Sequence, residues 1–258
     1  MKKAGSRFAV VASLLVAVGC HRPADKERLG KTYYLEGAGN WNWGGSTVAE
    51  GLQHAGYAGD VEIFLWTTSF NPLIDQLNVV AAKLRSVGLA RRIEAYHERY
   101  PHARINIVAL SAGTGVALWA VEQLENVKVH NVLMFASSLA HDYDASAALA
   151  NISGAIYVYH SSRDDVLKQV ELIGTIDGKR GVPAAGLVGL VKPVGFEERI
   201  VNVAWDPHWE RFGWRGRHFD CTDPTFVREV IAPHLMSSAP AASYRSAQSY
   251  RSTMALPP

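Results

Sequence analysis

Short apolar runs alternate along the chain with longer segments in which apolar residues recur every three or four positions. The short runs are apolar over nearly their whole length, as expected of strands that are covered on both faces. They predict six strands, at residues 32–35, 61–66, 104–110, 131–136, 155–159 and 199–205. Most of these strands are therefore expected to lie in the interior of one sheet.

The segments between the predicted strands have the pattern of amphipathic helices. The first helix is predicted at Thr47, which has capping-box spacing to Glu50. Further helices are predicted over residues 74–100, 112–124, 144–152 and 225–235. The repeated β–α order predicts an α/β fold, a three-layer sandwich with helices on both faces of a mostly parallel sheet. The glycine-rich stretch 174–195 has too little periodicity for an element to be assigned.

The amino-terminal residues 1–19 have the pattern of a signal peptide. Lys2, Lys3 and Arg7 precede an apolar run over residues 8–18. This run is shorter than the ~20 residues that a membrane-spanning helix needs. A basic start, a short apolar run and small residues at its end are typical of an export signal.

Residues 15–20 resemble the lipobox of bacterial lipoproteins, with Ala17 where leucine is usual. The resemblance implies that Cys20 is lipidated, that residues 20–30 form a tether, and that the lipid bilayer of the cell envelope is a partner. Since Ala17 and Gly19 also fit ordinary signal peptidase, a secreted protein with a free Cys20 is the alternative. The small, polar residues 237–258 predict a disordered tail, which leaves residues 31–236 for one domain.

Composition narrows the possible functions. Hydrophobic residues make up 48% of the chain and charged residues 19%, which suits a globular domain with a sizeable core. A net charge of +2 does not favour nucleic acid as a partner. Two cysteines exclude a disulfide scaffold, and we find no nucleotide-binding glycine loop and no metal-ligand spacing. We therefore expect no cofactor and no metal, and a monomer.

Candidate chemistry begins where the third predicted strand runs into a helix. Ser111 lies there between small residues, with Ala109 two positions before it and Gly113 two positions after it. A sharp turn from strand to helix needs small neighbours, because the two elements approach closely. The segment resembles the nucleophile elbow of the α/β-hydrolases, with Ala109 in place of the first glycine. Ser111 is therefore the candidate nucleophile.

An acid and a histidine follow in the order that this resemblance implies. Asp164 comes shortly after the fifth strand, and His218 lies between the last strand and the last helix. The chain order Ser111, Asp164, His218 is that of the α/β-hydrolases. The resemblance implies that Asp164 orients His218 and that His218 is the base.

Four other residues compete for these two roles. Asp165 is the rival acid, and His208, in the same loop as His218, is the rival base. Asp142 and Asp144 lie after the fourth strand and are further candidate acids, although both also suit a helix N-cap.

The loop after the first strand resembles the oxyanion loop of the same family, with Glu36 where histidine is common. Its glycines allow a close approach of the backbone to substrate. The resemblance implies that the amides of Ala38 and Ala112 form the oxyanion hole. Trp41 and Trp43 follow directly and are candidates for an apolar wall beside an acyl group.

Together these resemblances imply an exported, lipid-anchored serine hydrolase that acts on a small acyl ester through an acyl-enzyme. The 18 residues between the fourth and fifth strands, 137–154, leave no room for a lid domain. Thioester, amide and acyl-transfer chemistry would use the same residues and stay open. The competing hypothesis is a non-catalytic envelope lipoprotein that uses the fold for binding.

Overall fold

The computed structural model describes residues 23–40, 43–67 and 69–237. All neighbouring strands in its six-stranded sheet are parallel, in the order β2-β1-β3-β4-β5-β6. The six predicted strands are confirmed, with ends that differ by at most a few residues. Their bounds are β1 Lys31–Leu35, β2 Asp60–Ile63, β3 Ile105–Leu110, β4 Val132–Phe135, β5 Ile156–His160 and β6 Ile200–Ala204.

Helices connect these strands and lie on both faces of the sheet. The α-helices are α1 Pro23–Leu29, α2 Trp43–His54, α3 Pro72–Leu77, α4 Val79–Arg99, α5 Gly113–Glu122, α6 Ser146–Ala150, α7 Asp165–Ile173, α8 Ala185–Val188, α9 Pro224–Phe226 and α10 Ala232–Met236. A π-helical segment, Val227–Ile231, joins α9 to α10. Short 3-10 helices span Glu197–Arg199, Pro207–Phe212 and Asp220–Thr222.

Two apolar layers sandwich the sheet, because successive side chains of a strand point to opposite faces. Ile107 of β3 belongs to a buried cluster with residues of α4 and α5. Its neighbour Val108 belongs to a second cluster with residues of α2, α9 and α10. This arrangement confirms the predicted three-layer α/β fold. The described chain between β4 and β5 contains one short helix, α6.

The helix predicted over residues 74–100 is divided at Asn78. The Asn78 side chain accepts a hydrogen bond from the Ala81 N–H at 3.1 Å and so caps the start of α4. Asn71 caps α3 in the same way, through the amides of Leu73 and Ile74. An asparagine that bonds the nearby backbone can end one helix and begin another without interrupting the apolar pattern.

The unassigned stretch 174–195 runs beside the loop that follows β4. The amides of Ile176, Ala185 and Gly186 donate to the carbonyls of Ser138, Leu139 and Ser137, respectively. The stretch also contains α8. It therefore forms part of the surface at the carboxyl end of the sheet, where catalytic residues of parallel sheets usually lie.

Both ends of the domain lie at the opposite, amino-terminal end of the strands. Helix α1 precedes the predicted domain boundary at residue 31, and the Tyr96 hydroxyl of α4 donates to the Glu27 carbonyl in α1. Arg104, next to β3, donates to the carbonyl of Ser237 at 2.5 Å. The predicted signal peptide, Cys20 and almost all of the predicted tail lie outside the described residues. No helix among the described residues is long and apolar enough to cross a membrane.

Candidate active site

Ser111 occupies the sharp turn between β3 and α5. Its φ of 51° lies in the left-handed region that residues other than glycine seldom adopt. Gly113 makes the turn possible, because a Cβ there would lie 2.5 Å from the Glu36 carbonyl oxygen. The Ser111 amide donates to the Phe135 carbonyl of β4 at 2.9 Å. The serine is thus held in a strained backbone conformation at the carboxyl end of the sheet, as in a nucleophile elbow.

A buried acid–histidine pair lies at the same end of the sheet. Asp164 Oδ2 is 2.8 Å from His218 Nδ1, and the residues are 1% and 6% exposed. Asp164 Oδ1 accepts the Leu167 amide at 3.0 Å, so the same carboxylate caps α7. Because one carboxylate oxygen bonds the start of α7 and the other bonds the ring nitrogen, the carboxylate sets the orientation of the imidazole. Asp164 is therefore both a helix cap and the partner of His218.

The Ser111 hydroxyl and the second ring nitrogen of His218 have no hydrogen-bond partner in the described part of the chain. Within residues 23–40, 43–67 and 69–237, neither Ser111 Oγ nor His218 Nε2 makes a hydrogen bond, to the other or to any further group. The structure thus joins Asp164 to His218 and does not join His218 to Ser111. Catalytic hydrogen bonds are often long in free enzymes and shorten when substrate binds.

The rival acids and the rival base make their contacts elsewhere. Asp165 is exposed and pairs with Lys168 at 2.8 Å. Asp142 pairs with Lys179 at 2.8 Å, and Asp144 accepts hydrogen bonds from the amide and hydroxyl of Ser146. His208 is exposed, and its Nε2 lies 2.7 Å from a guanidinium nitrogen of Arg211.

The two predicted oxyanion donors have free amides. Neither Ala38 nor Ala112 donates its backbone N–H to any other described residue. The oxyanion loop, residues 36–40, passes close to the serine, since a Cβ on Gly37 would lie 3.2 Å from Ser111 Cβ. Two free amides beside a serine could bind the negative oxygen of a tetrahedral intermediate.

The proposed apolar wall falls mostly outside the described structure. Trp41 is not among the described residues, and Trp43 is described only as the first residue of α2. Their predicted role as a substrate wall therefore stays a prediction.

Glu36 is a buried carboxylate at the root of the oxyanion loop. Its Oε1 accepts the Gly37 amide at 3.2 Å and the Tyr34 hydroxyl at 3.3 Å. Its Oε2 accepts the Gly44 amide in the first turn of α2 at 3.0 Å. Burial and the charge of Glu36 raise the pKa of Tyr34 well above its usual value. Glu36 thus attaches the loop to the start of α2.

A hydroxyl group and a backbone amide hold the Ser111 carbonyl in place. It accepts the Thr114 hydroxyl at 2.5 Å and the Ser138 amide at 3.3 Å. Thr114 Oγ1 is also 2.8 Å from Ser137 Oγ. These residues were not predicted from the sequence, in which the run of small residues around Ser111 is the signal that points towards them.

Cys221 is the one cysteine among the described residues, and its environment does not favour the reactive thiolate. The thiol is buried close to Asp164, in the wall of a small recess that Tyr159, Ser161 and Trp214 also line. Burial, together with the charges of Asp164 and Asp220, raises the pKa of the Cys221 thiol well above its usual value. Because the thiolate is the nucleophilic form, Cys221 is not a competing nucleophile. The described residues contain no group of side chains that could hold a metal ion.

No family model and no curated protein matches the sequence. Three similar solved structures are a cutinase-like protein from Cryptococcus sp., the catalytic core of acetyl xylan esterase from Trichoderma reesei, and an extracellular α/β-hydrolase from a Paenibacillus species. Their identities to this chain are 14%, 14% and 10%, with TM-scores of 0.45, 0.40 and 0.42. The matches cover 81%, 76% and 81% of this chain, and 96%, 98% and 100% of the other chains. At these values the chemistry has to be inferred from this chain's own residues.

Proposed function

We propose that the protein is a serine hydrolase that cleaves a carboxylic ester, or a related acyl bond, with Ser111, Asp164 and His218. The observation that carries the proposal is the buried Asp164–His218 pair, with its 2.8 Å hydrogen bond, at the same sheet end as a strained serine. The exposed His208 and Asp165 lack this arrangement. Buried polar groups of this kind are costly and tend to mark functional sites.

The reaction would begin when Ser111 Oγ attacks the acyl carbon while His218 Nε2 takes the hydroxyl proton. Asp164 would keep the Nδ1 proton in place and stabilise the imidazolium. The carbonyl oxygen becomes negative and would accept hydrogen bonds from the amides of Ala38 and Ala112. The carbon–oxygen bond to the leaving alcohol then breaks, and His218 returns the proton to that alcohol.

Hydrolysis of the acyl-enzyme would repeat these steps with water. His218 takes a proton from the water as its oxygen attacks the acyl carbon, and the bond to Ser111 Oγ breaks. The proton returns to Ser111, and the product is a carboxylic acid. The two stages use one base, one oxyanion hole and no group beyond the chain's own residues and water.

A small acyl ester is the proposed substrate. The described chain between β4 and β5 contains only the five-residue helix α6 and its flanking loops, so no lid domain covers the site from there. An apolar acyl group would lie against Trp41 and Trp43, as the sequence predicts. Thioesters, amides and acyl transfer to another acceptor are the chemical variants that a substrate panel has to separate.

Under the same proposal, the protein would act in the cell envelope. The basic, apolar and small residues before Cys20 support export and lipidation, which would anchor the domain to a bilayer. Mass spectrometry of membrane-extracted protein should find an acylated peptide that begins at Cys20. An unmodified Cys20 in the mature protein would instead favour simple secretion.

The direct functional test is a panel of acyl esters and thioesters on the purified protein, with Ser111→Ala as the blank. Ser153→Ala is a matched control, because this exposed serine follows α6 at the other end of the sheet. We expect turnover of at least one ester by the wild-type protein and Ser153→Ala, and none above background by Ser111→Ala. Equal rates for wild type and Ser111→Ala would favour the non-catalytic binding protein.

A further inference from the structure

Helix α3 has an unusual polarity for a helix that packs on a domain. Asp75 and Gln76 are buried, while Leu73, Ile74 and Leu77 are about half exposed. Ordinary packing would place the leucines inside, because burying a carboxylate costs free energy that burying leucine does not. The buried acid therefore needs a specific explanation.

The explanation is the contact that Asp75 makes. Its Oδ2 accepts the Gly39 amide of the oxyanion loop at 2.9 Å. Burial raises the pKa of Asp75, and the Gly39 hydrogen bond opposes that rise. Gln76, the neighbouring buried residue, donates to the Gly174 carbonyl and accepts from the Ser138 hydroxyl. Gln76 thus attaches α3 to the segments after β4 and α7, whereas Asp75 contacts the loop beside Ser111.

The backbone amides of residues 37–40 differ in whether they have a hydrogen-bond acceptor. The Gly37 amide donates to Glu36 at 3.2 Å, and the Gly39 amide donates to Asp75 at 2.9 Å. The Asn40 amide turns back to the Gly37 carbonyl at 3.4 Å. Among the amides of residues 37–40, only that of Ala38 has no acceptor in the described part of the chain. The buried carboxylates of Glu36 and Asp75 thus hold the peptide groups on both sides of the Ala38 amide.

We propose that Asp75 is a positioning residue that holds the oxyanion loop so that the Ala38 amide points to the substrate oxygen. The inference rests on the proposed hydrolase function. Asp75 itself touches no reacting atom. It acts through Gly39, and Glu36 holds the other side of the loop in the same way. An oxyanion donor works only when its direction is fixed before the charge develops.

The experiment compares Asp75→Ala and Asp75→Asn with the wild-type enzyme. Alanine removes the acceptor, whereas the asparagine carbonyl can still accept the Gly39 amide. We expect Asp75→Ala to lower kcat for the best ester about 10- to 100-fold, less than the loss of an oxyanion donor itself, with KM changed less than about threefold. Asp75→Asn should restore kcat to within about threefold of wild type.

Asn106→Ala is the matched control for a purely structural effect. Asn106 is buried near the other end of β3, where it accepts the Asn131 amide and donates to the Leu235 carbonyl. We expect this variant to lower the unfolding temperature while kcat per folded molecule stays within about twofold of wild type. A parallel loss of kcat in Asn106→Ala and Asp75→Ala would overturn the positioning role, because reduced stability would then explain both.

The remaining outcomes separate this inference from the proposed function. An active wild-type enzyme with an equally active Asp75→Ala variant overturns the positioning role and leaves the hydrolase proposal standing. An Asp75→Asn variant as slow as Asp75→Ala also overturns it, because the acceptor would then not be what matters. A wild-type protein that is inert to every ester and to a fluorophosphonate probe overturns both proposals together.

Discussion

The two ends of the parallel sheet differ in backbone strain and in how their polar groups are paired. At the carboxyl end, Ser111 and Ala136 have left-handed φ values of 51° and 43°, and the amides of Ala38 and Ala112 are free among the described residues. At the amino end, the nearly buried Lys31 ammonium lies within 3.2 Å of three carboxylates. These belong to Glu27, Asp60 and Glu62.

Under the proposed function, the reaction would take place at the carboxyl end, and the amino end would contribute stability. Strained backbone and free donors cost stability, and they persist only where the surrounding structure enforces them. Lys31 of β1 instead joins α1 and β2 through ion pairs with their carboxylates. The Tyr96 and Tyr100 hydroxyls, which donate to Glu27, reinforce this end. Substitutions at the two ends should therefore separate activity from stability.

The largest expected effect is at the strained end. Ser111→Ala removes the proposed nucleophile and should lower ester hydrolysis at least ~1000-fold, the order lost when a triad is broken. The fold should persist, because the alanine keeps every backbone contact of the turn. Steady-state kinetics and circular dichroism check the two parts. Retained turnover in pure Ser111→Ala would contradict the assignment of Ser111 as the nucleophile.

Histidine substitutions distinguish the buried pair from its surface rival. His218→Ala removes the proposed base and should also lower kcat at least ~1000-fold. His208→Ala changes an exposed ring that contacts Arg211 and Trp209, and its kcat should stay within about threefold of wild type. A large loss in His208→Ala with an active His218→Ala would reverse the assignment of the base.

At the stabilising end, Lys31→Met should affect stability alone. It keeps the aliphatic stem but leaves Glu27, Asp60 and Glu62 without their shared cation. We expect a loss of about 2–3 kcal/mol in the free energy of unfolding, below the full value of a buried pair because the carboxylates are partly exposed. Urea unfolding measures this loss. A large fall in kcat per folded molecule would contradict the separation of the two ends.

His234 tests the same end through pH. It packs on the Tyr157 ring at 4.2 Å, and burial lowers its pKa to about 4 from 6.5. Unfolding lets the ring take up a proton below pH 6.5, so its contribution is present above that pH and is lost as pH falls towards 4.

The expected size is on the order of 3 kcal/mol of unfolding free energy across that window. Thermal or urea unfolding from pH 7 to pH 4 should show a steeper loss in wild type than in His234→Gln. His130 and His160, whose pKa values burial also lowers, remain in both proteins and serve as a common background. Identical pH profiles would show that the His234 ring is not held in its neutral form.

The sequence predicted what depends on local pattern and missed what depends on distant contacts. The strands were predictable because successive residues such as Ile107 and Val108, which lie on opposite faces of the sheet, are both apolar. The break at Asn78 was missed because one capping side chain leaves the apolar period intact. Asp75 was missed because its partner, Gly39, is 36 residues away in the chain. Such a contact leaves no mark on local sequence.

Sequence distance also limited the prediction of the site's surroundings. Ser111 was predictable from its small neighbours, which the turn requires for steric reasons. The stretch 174–195 was not, because it pairs irregularly with the backbone after β4 and has no period of its own. The sequence did not indicate that Asp164 has two roles, as a helix cap and as the partner of His218. The structure shows that its two oxygens serve both.

The central claim is that Ser111 is activated by the buried pair, and fluorophosphonate labelling tests it most directly. Trypsin should release Ser111 in the peptide 105–128, where it is the only serine. In the wild-type protein, we predict that mass spectrometry finds one phosphonyl group on this peptide. Ser111→Ala should not be labelled, and His218→Ala should be labelled far more slowly. A folded wild-type protein that stays unlabelled, or that is labelled only on another peptide, would contradict the account.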